Sequence, residues 1–241
     1  MAANESLVTF ALFTFNQQKY VREAVRSALL QEYSPLEIII SDDASSDGTF
    51  QIVEDEVSKY TGPHRVRLNR NAENLGLGDH LNLVVGMSKS NFIVLAAGDD
   101  ISYPARTSVL AEEYRNSATK YFYISSNAEI MDPTGQETGR KVIQGSHPDD
   151  LLRLVIGSAM PLGATSACTK GLFDFFGGLH RNLMNEDFVL PHRAHLLGRV
   201  VYLEQTLVSY RMGGGSMSQD NEDLSSNDRF AGRARYLARQ Q

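Results

Sequence analysis

Several residue types that mark particular protein classes are scarce in this chain or missing from it. Its 241 residues include one cysteine, Cys168, and no tryptophan. A single cysteine excludes an intramolecular disulfide and a cysteine zinc cluster, and it favours a reducing compartment. No apolar run reaches the roughly 20 residues that a membrane-spanning helix needs, and the first residues lack the basic and apolar regions of a signal peptide. We therefore expect a soluble, cytoplasmic protein.

An excess of positive charge is also missing. The formal net charge is −6, and no basic stripe is interleaved with aromatic residues, so we expect no nucleic-acid partner. Apolar residues make up 42% of the chain and charged residues 22%, which is ordinary for a soluble globular protein. The length is sufficient for one large domain with a substantial core.

Basic residues gather at the end of the chain, where residues 227–241 carry Arg229, Arg233, Arg235 and Arg239 beside apolar positions. This pattern fits a basic amphipathic helix on an anionic membrane surface. It equally fits a surface helix docked on its own domain, which is the commoner case and the one we favour. Peripheral association with the inner face of the membrane stays open as the alternative.

The first half of the chain alternates strand-like apolar runs with amphipathic helices four times. We expect strands at residues 7–13, 36–40, 65–68 and 92–97. We expect helices at about 19–31, 74–89 and 104–116, and a further helix that begins with Asp47 as its N-cap. Such alternation predicts a parallel sheet covered by helices. In that architecture a ligand binds beyond the carboxyl ends of the strands.

The second half is less regular. We expect strands at residues 121–130, 164–169, 200–203 and 207–211, a turn at 132–135, and helices at 148–156 and 186–197. A Gly-rich loop follows at 213–215. No Pro- or Ser-rich linker divides the chain, so one mixed α/β domain is the simplest interpretation.

Paired carboxylates follow two of the predicted strands. Asp42 and Asp43 end the second strand, and Asp99 and Asp100 follow the run at residues 92–97. Ionised pairs are costly to bury without partners, so we expect water, a cation or a ligand to reach them. The alternative is that Asp99 caps the helix near Pro104, which explains one acid more easily than two.

Carboxylates gathered at one sheet edge suit a hard divalent cation such as Mn²⁺ or Mg²⁺, which usually carries a phosphate with it. The chain has no Walker-type phosphate loop, no Gly-x-Gly-x-x-Gly after the first strand and no His-Glu-x-x-His pair. ATP hydrolysis and dinucleotide redox chemistry therefore become less plausible functions. A sugar nucleotidyltransferase would carry a Gly-rich basic loop near the first strand, and residues 13–19 do not fit one.

Six short motifs occur in an order and spacing that together are specific. They are the loop at 11–16, the acidic pair with Ser-x-Asp-Gly-Thr at 40–49, Asn-x-Gly at 74–76, Gly-Asp-Asp at 98–100 with Pro104, Glu-Asp at 186–187, and Tyr-Arg at 210–211 with serines at 216 and 218. From about residue 7 to 218 the chain resembles the glycosyltransferase family 2 enzymes.

The resemblance implies an α/β GT-A fold, with a Rossmann-like, mostly parallel central sheet flanked by helices and a smaller mixed region on the acceptor side. It implies a single domain over residues 1–241. The nucleotide-sugar half would occupy about 1–118, the acceptor half about 119–218, and a helical tail 219–241.

The resemblance also implies roles for individual residues. Asp43 would accept hydrogen bonds from the nucleotide base, with uracil favoured, and Asp187 would be the general base that deprotonates the acceptor hydroxyl. Asp100 would bind the Mn²⁺ or Mg²⁺ on the diphosphate, and Asp99 would face the ribose or the metal. The remaining implied contacts are Thr14 and Asn16 at the nucleotide, and Glu186 and Arg211 at the substrate or acceptor.

The implied function is inverting, non-processive transfer of a sugar from a nucleotide diphosphate, with UDP favoured, to a carbohydrate or lipid-linked acceptor in cell-surface polysaccharide or glycoconjugate synthesis. The Gln-x-x-Arg-Trp motif of processive members is absent, and the chain contains no tryptophan. Three positions depart from the family pattern: Ala97 replaces an aspartate, Leu81 an arginine and Gly213 a histidine. These departures keep open the alternative of a catalytically inactive nucleotide-sugar or glycan-binding domain.

Overall fold

The computed structural model describes residues 6–117, 119–143, 161–181, 183 and 185–213. The strands are β1 (Val8–Thr14), β2 (Leu36–Asp42), β3 (Arg65–Arg70), β4 (Phe92–Ala97), β5 (Ile101–Ser102), β6 (Phe122–Met131), β7 (Glu137–Val142), β8 (Ala167–Thr169) and β9 (Arg199–Arg211). The helices, numbered here in chain order, are α1 (Val21–Leu29), α2 (Thr49–Ser58), α3 (Gly76–Met87), α4 (Arg106–Ser117), α5 (Gly171–Phe176) and α6 (Glu186–Leu197).

One twisted sheet joins the strands in the order β3-β2-β1-β4-β8-β6-β9-β5, and β7 pairs with β6. The strands β3, β2, β1 and β4 are parallel, as the strand–helix alternation predicts. Strand β8 runs antiparallel to both β4 and β6, and β6 pairs in parallel with β9. The mostly parallel half therefore comes from the first part of the chain and the mixed half from the second.

Hydrophobic side chains alternate between the two faces of the sheet, because successive residues of a strand point to opposite sides. On one face Phe10, Ile38 and Val94 pack with buried residues of α1, α2 and α4. On the other, Ile39 and Ile93 pack with buried residues of α3, α5 and α6. The central strands are thus covered on both faces, which explains their nearly continuous apolar runs.

Most predicted elements of the first half agree with the structure to within a few residues, but the start of α2 differs. Asp47 is not the N-cap residue, since Gly48 occupies that position. Asp47 still supports the first turn, because its Oδ1 accepts a hydrogen bond from the Thr49 N–H at 2.9 Å. The helix α4 begins at Arg106, whose N–H donates to the Tyr103 carbonyl, so Asp99 does not cap it.

Several elements of the second half differ from the predictions, and one of them is α5, which was not predicted. The two expected strands at 200–203 and 207–211 are one strand, β9, whose pairing with β6 continues through register shifts near Asn127. The expected strand at 164–169 begins with a 3₁₀ turn, Gly163–Thr165, before β8. The exposed hairpin strand β7 was not predicted because its sequence lacks alternating apolar residues.

Some predicted segments lie outside the described residues. These are the helix at 148–156, the tail at 219–241, the serines at 216 and 218, and Gly214 and Gly215 of the expected loop. Within the described part of the chain, no helix combines the length and apolarity that crossing a bilayer requires.

Candidate functional site

The carboxyl ends of three parallel strands lie side by side and bring the predicted motifs to one edge. Thr14 is the register partner of Asp42, and Phe13 is that of Ala97. Gly98 then packs directly on β1, because a Cβ added there would lie 2.8 Å from Thr14 Cγ2 and 3.1 Å from the Phe13 carbonyl oxygen. The absence of a side chain at residue 98 therefore lets the loops after β1 and β4 meet.

Thr14 and Asp42 form a buried polar pair at this edge. The Thr14 hydroxyl donates to Asp42 Oδ2 at 3.0 Å. Ser45 donates to Asp42 as well, from its N–H to Oδ1 at 2.9 Å and from its hydroxyl to Oδ2. Asn16 joins the same loops, since its N–H donates to Ser45 Oγ and its Oδ1 accepts from the Ser46 N–H, both at 2.9 Å. Asn16 itself is exposed.

Asp43 is buried and organises the Asn-x-Gly loop. Its Oδ1 accepts hydrogen bonds from Asn71 Nδ2 at 2.7 Å and from the Leu75 N–H at 2.9 Å. Its Oδ2 accepts one from the Gly76 N–H at 3.0 Å. Gly76 adopts a φ of +74°, a conformation that residues with a Cβ rarely adopt. This explains why glycine ends the motif.

Asp99 and Asp100 are more enclosed than the sequence led us to expect. Only 9% of Asp99 and 5% of Asp100 is exposed. The expectation that water, a cation or a ligand reaches them stays a prediction. Asp100 Oδ1 accepts the Arg211 N–H at 2.8 Å, whereas its Oδ2 is buried with no hydrogen-bond partner among the described residues.

Two fully buried arginines flank these acids. Arg106 donates to the Ser102 hydroxyl at 2.8 Å, to the Leu95 carbonyl at 2.7 Å and to the Ser166 carbonyl at 3.3 Å. It therefore ties the end of β4 to the segment before β8. Arg106 was not predicted as a site residue, although its position two residues after Pro104, on the helix that follows the acidic pair, was a usable signal.

Arg211 joins four parts of the chain. Its guanidinium donates to the Asp99 carbonyl at 3.0 Å, to the Asp132 carbonyl at 3.3 Å and to Glu23 Oε2 at 2.5 Å. It also lies over the Tyr20 ring, 4.7 Å from its centroid. These contacts are internal and the residue is 1% exposed, so the predicted contact with a substrate stays a prediction.

Burial dominates the electrostatics of the acidic pair. It raises the pKa of Asp99 to about 6, against a partial lowering by Arg211. Burial and the neighbouring Asp99 raise the pKa of Asp100 well above its ordinary value, although Arg211 and Arg106 act in the opposite direction. Burial also lowers the pKa of Arg106 to about 9. Ionisation of this buried pair therefore costs free energy.

Glu186 and Asp187 form the first turn of α6, where acids interact favourably with the helix dipole. Asp187 is buried and Glu186 is half-buried. They pack on the 3₁₀ turn: a Cβ added to Gly163 would lie 1.9 Å from Glu186 Oε1 and 3.5 Å from Asp187 Cβ. Because Arg106 holds Ser166 at the end of this turn, the Glu-Asp pair is linked to the end of β4.

A divalent cation would find few ligands here. No group of three or more His, Cys, Asp or Glu side chains that could hold a metal occurs among the described residues. The unpartnered Asp100 Oδ2 is nevertheless the kind of oxygen that Mg²⁺ or Mn²⁺ accepts, and such ions are often bound through one or two carboxylates plus substrate phosphates. The residues fit a metal that arrives with a diphosphate.

A sequence profile described as Glycosyl transferase family 2 matches residues 9–163, which is more than half of the chain. The chain belongs to glycosyl transferase family 2. The predicted family and enzyme class are thereby confirmed. The profile spans β1 to the 3₁₀ turn, and thus includes both acidic pairs but ends before Glu186 and Asp187.

Two relatives illustrate how much of the chain is shared. EpsE of Bacillus subtilis is 32% identical over 99 residues, which are 41% of this chain and 35% of EpsE. Abequosyltransferase RfbV of Salmonella typhimurium is 28% identical over 144 residues, which are 59% of this chain and 40% of RfbV. The matched part of the chain spans about a third of EpsE and two fifths of RfbV.

Solved structures share the fold at low sequence identity. TarS of S. aureus in complex with UDP-GlcNAc has a TM-score of 0.68 at 17% identity, covering 93% of this chain and 64% of that one. The mannosyltransferase PcManGT from Pyrobaculum calidifontis, in complex with GDP-Man and Mn²⁺, has a TM-score of 0.62 at 19% identity, covering 84% of this chain and 56% of that one. The predicted GT-A fold is confirmed.

Replacing Asp99 by asparagine should change the pH dependence of stability. The pKa of the Asp99 carboxyl is about 6 in the folded state, whereas its ordinary value is 3.8. The protonated carboxyl therefore stabilises the folded state relative to the unfolded one, and this contribution is lost as the pH rises through 6 and the carboxyl ionises. We expect Asp99→Asn to raise the free energy of unfolding at pH 8 by on the order of 2 kcal/mol, and to have little effect at pH 4. Urea denaturation at both values measures this. The exposed Asp174→Asn is the control, and an equal effect of Asp99→Asn at both pH values would contradict the assignment.

Replacing Gly163 by alanine should displace the Glu186 carboxylate. The added methyl would overlap the flexible end of that side chain, whereas Asp187 Cβ is at an ordinary contact distance, so we expect a loss of about 1 kcal/mol in the free energy of unfolding. Gly86→Ala is the matched control, because a Cβ there meets nothing within 4 Å and alanine favours the helix. Denaturation of both variants measures the difference; a Gly163→Ala protein as stable as the Gly86→Ala protein would refute the close packing.

Proposed function

We propose that this domain is an inverting, non-processive glycosyltransferase that moves a sugar from a nucleotide diphosphate, with UDP favoured, to a carbohydrate or lipid-linked acceptor. Membership of glycosyl transferase family 2, together with acidic motifs at the carboxyl ends of adjacent parallel strands, carries the proposal. The chain is a single domain whose residues up to about 118 bind the donor, and whose residues from about 119 to 218 bind the acceptor.

The donor half supplies the nucleotide contacts. Asp43 accepts an N–H of the base, which suits uracil. It retains acceptor capacity because a carboxylate can take about four hydrogen bonds and the described residues supply three. Thr14 and Asn16 border the same pocket, and Asp99 faces the ribose. The TarS complex with UDP-GlcNAc, a protein of the same fold, supports a UDP donor.

Asp100 would hold a Mn²⁺ or Mg²⁺ ion through Oδ2, for which the described residues offer no hydrogen-bond partner. When bound, the ion neutralises charge on the departing nucleoside diphosphate. The Mn²⁺ in the PcManGT complex supports this choice. Arg211 and Arg106 hold the loop that carries Asp99 and Asp100 in place while the ion and the donor bind and dissociate.

Asp187 serves as the general base. A sugar hydroxyl is a poor nucleophile at neutral pH, and a positioned carboxylate that accepts its proton lowers the barrier. The acceptor oxygen then forms the new glycosidic bond as the bond from the anomeric carbon to the diphosphate breaks, and attack from the opposite face inverts the configuration. Glu186 lies on the acceptor side of this reaction.

The acceptor is a growing surface carbohydrate or a lipid-linked sugar, and work at the inner face of a membrane is compatible with it. The similarity to an abequosyltransferase supports the transfer of a sugar, and the place of that transfer in surface polysaccharide or glycoconjugate synthesis is part of the proposal. The second candidate is a binding domain without transferase activity, which Ala97 favours because it removes a carboxylate from the metal site.

Release of UDP from a bound nucleotide sugar, and not binding alone, separates these two candidates. Calorimetric titration with UDP-, GDP- and dTDP-sugars, in the presence of Mn²⁺ and then of EDTA, should reveal metal-dependent binding of a UDP-sugar. A panel of saccharide acceptors should then release UDP. If no nucleotide binds, both candidates fail. If a nucleotide sugar binds but UDP is released neither by transfer to an acceptor nor by hydrolysis, the binding domain is favoured.

Replacing Asp187 by asparagine should separate donor binding from transfer. Asparagine keeps the size of the side chain but is not a base at neutral pH, so we expect unchanged affinity for the donor and a rate lower by roughly 10²–10⁴-fold. Asp174→Asn, an exposed acid on the neighbouring helix, should retain the wild-type rate. Transfer by Asp187→Asn at the wild-type rate would rule out this base.

A further inference from the structure

A closed ring of polar side chains lies around Asp43. Asn71 Nδ2 contacts Asp43 Oδ1 at 2.7 Å, and Asn69 Nδ2 contacts Asn71 Oδ1 at 2.8 Å and Ser41 Oγ at 2.9 Å. Ser41 Oγ lies 2.6 Å from His80 Nε2, and His80 Nδ1 returns to Asp43 Oδ2 at 4.0 Å. Ser41, Asp43 and His80 are all buried.

The direction of every hydrogen bond in the ring follows from one charge. An ionised Asp43 can only accept, so Asn71 must present its amide nitrogen to it and its oxygen to Asn69. Asn69 must then present its nitrogen to Asn71 and to Ser41. Ser41 Oγ therefore accepts a hydrogen bond from Asn69, and its own hydrogen is available to His80.

The same constraint selects a tautomer of His80. If Ser41 donates to Nε2, the imidazole carries its hydrogen on Nδ1, facing the Asp43 carboxylate. The opposite tautomer would turn a lone pair on Nδ1 towards an anionic oxygen 4.0 Å away, which is unfavourable. That separation is too long for a hydrogen bond, so the contact is an electrostatic one.

Burial favours the neutral imidazole in this position. It lowers the pKa of His80 below its ordinary value, against the opposing effect of Asp43 and Asp42. The Phe13 ring packs edge-on against the imidazole, with 5.1 Å between centroids. Leu81, where the family pattern has an arginine, belongs to the hydrophobic core, and the basic side chain that approaches Asp43 is its neighbour His80.

We propose that His80 is a positioning residue of the donor site: through its Nδ1–H and its bond to Ser41 it holds the Asp43 carboxylate in the orientation that receives the nucleotide base. This inference rests on the proposed function, because Asp43 reads the base only if the domain binds a nucleotide. His80 itself makes no contact with the base or with the reacting atoms. Its loss should weaken donor binding and leave the chemical step unchanged.

Three substitutions distinguish positioning from simple packing. His80→Asn places an amide donor near the position of Nδ1, His80→Gln places one near Nε2, and His80→Phe fills the space without a polar atom. We expect the His80→Phe and His80→Gln variants to bind UDP roughly tenfold more weakly, because each loses the electrostatic contact with the Asp43 carboxylate. The His80→Asn variant should retain most of the affinity. Calorimetric titration with UDP and Mn²⁺ measures this, and thermal melting verifies that each variant is folded.

Steady-state kinetics and NMR supply the remaining readouts. The donor KM should rise with the UDP dissociation constant while kcat and the acceptor KM stay unchanged. Two-bond ¹⁵N–¹H correlation spectra of the free protein should identify the Nδ1–H tautomer of His80. That spectrum needs no ligand and no variant, so it applies even where a substitution prevents folding.

Each outcome has a defined meaning. Wild-type UDP affinity in His80→Phe, equal affinity of the Asn and Gln variants, or an Nε2–H tautomer in the free protein would overturn the positioning role of His80 while leaving the proposed function intact. A wild-type protein that binds no nucleotide would instead overturn the proposed function, and with it any role of His80 in donor binding.

Discussion

The organisation of the site depends on negative charge buried at the end of β4. Asp99 and Asp100 lie among the least exposed acids of the described chain, and Arg106 and Arg211 are buried beside them. Charges without water need partners close by, since removing one member of a buried pair leaves the other uncompensated. The arginines supply part of that compensation. Through contacts with three carbonyl groups and with the Glu23 carboxylate they also join β4, the 3₁₀ turn, β9 and α1.

The two acids at the end of β2 have different roles. Asp42 accepts three hydrogen bonds from Thr14 and Ser45 and holds the loops after β1 and β2 together. Asp43 holds the loop before α3 and can accept a further hydrogen bond. A side chain that orders its own surroundings is also preorganised for a ligand, because little conformational freedom is left to lose on binding.

The chain pattern predicted the parallel half of the fold well and the mixed half less well. Strands β1, β2 and β4 are covered on both faces, so their apolar runs are long and easily recognised. Strand β7 is exposed and polar, and the continuity of β9 depends on its partner β6 rather than on its own residues. Tertiary pairing, not local preference, sets those boundaries.

The sequence by itself determined the family, the fold class and the edge at which the acidic motifs would gather, because strand–helix alternation forces parallel strands and parallel strands share a carboxyl end. Only the tertiary structure decided how buried Asp99 and Asp100 are, that Arg106 and Arg211 compensate them, and that His80 approaches Asp43. These contacts join residues far apart in the chain. Their consequences depend on distance and on the exclusion of water, which a linear pattern does not record.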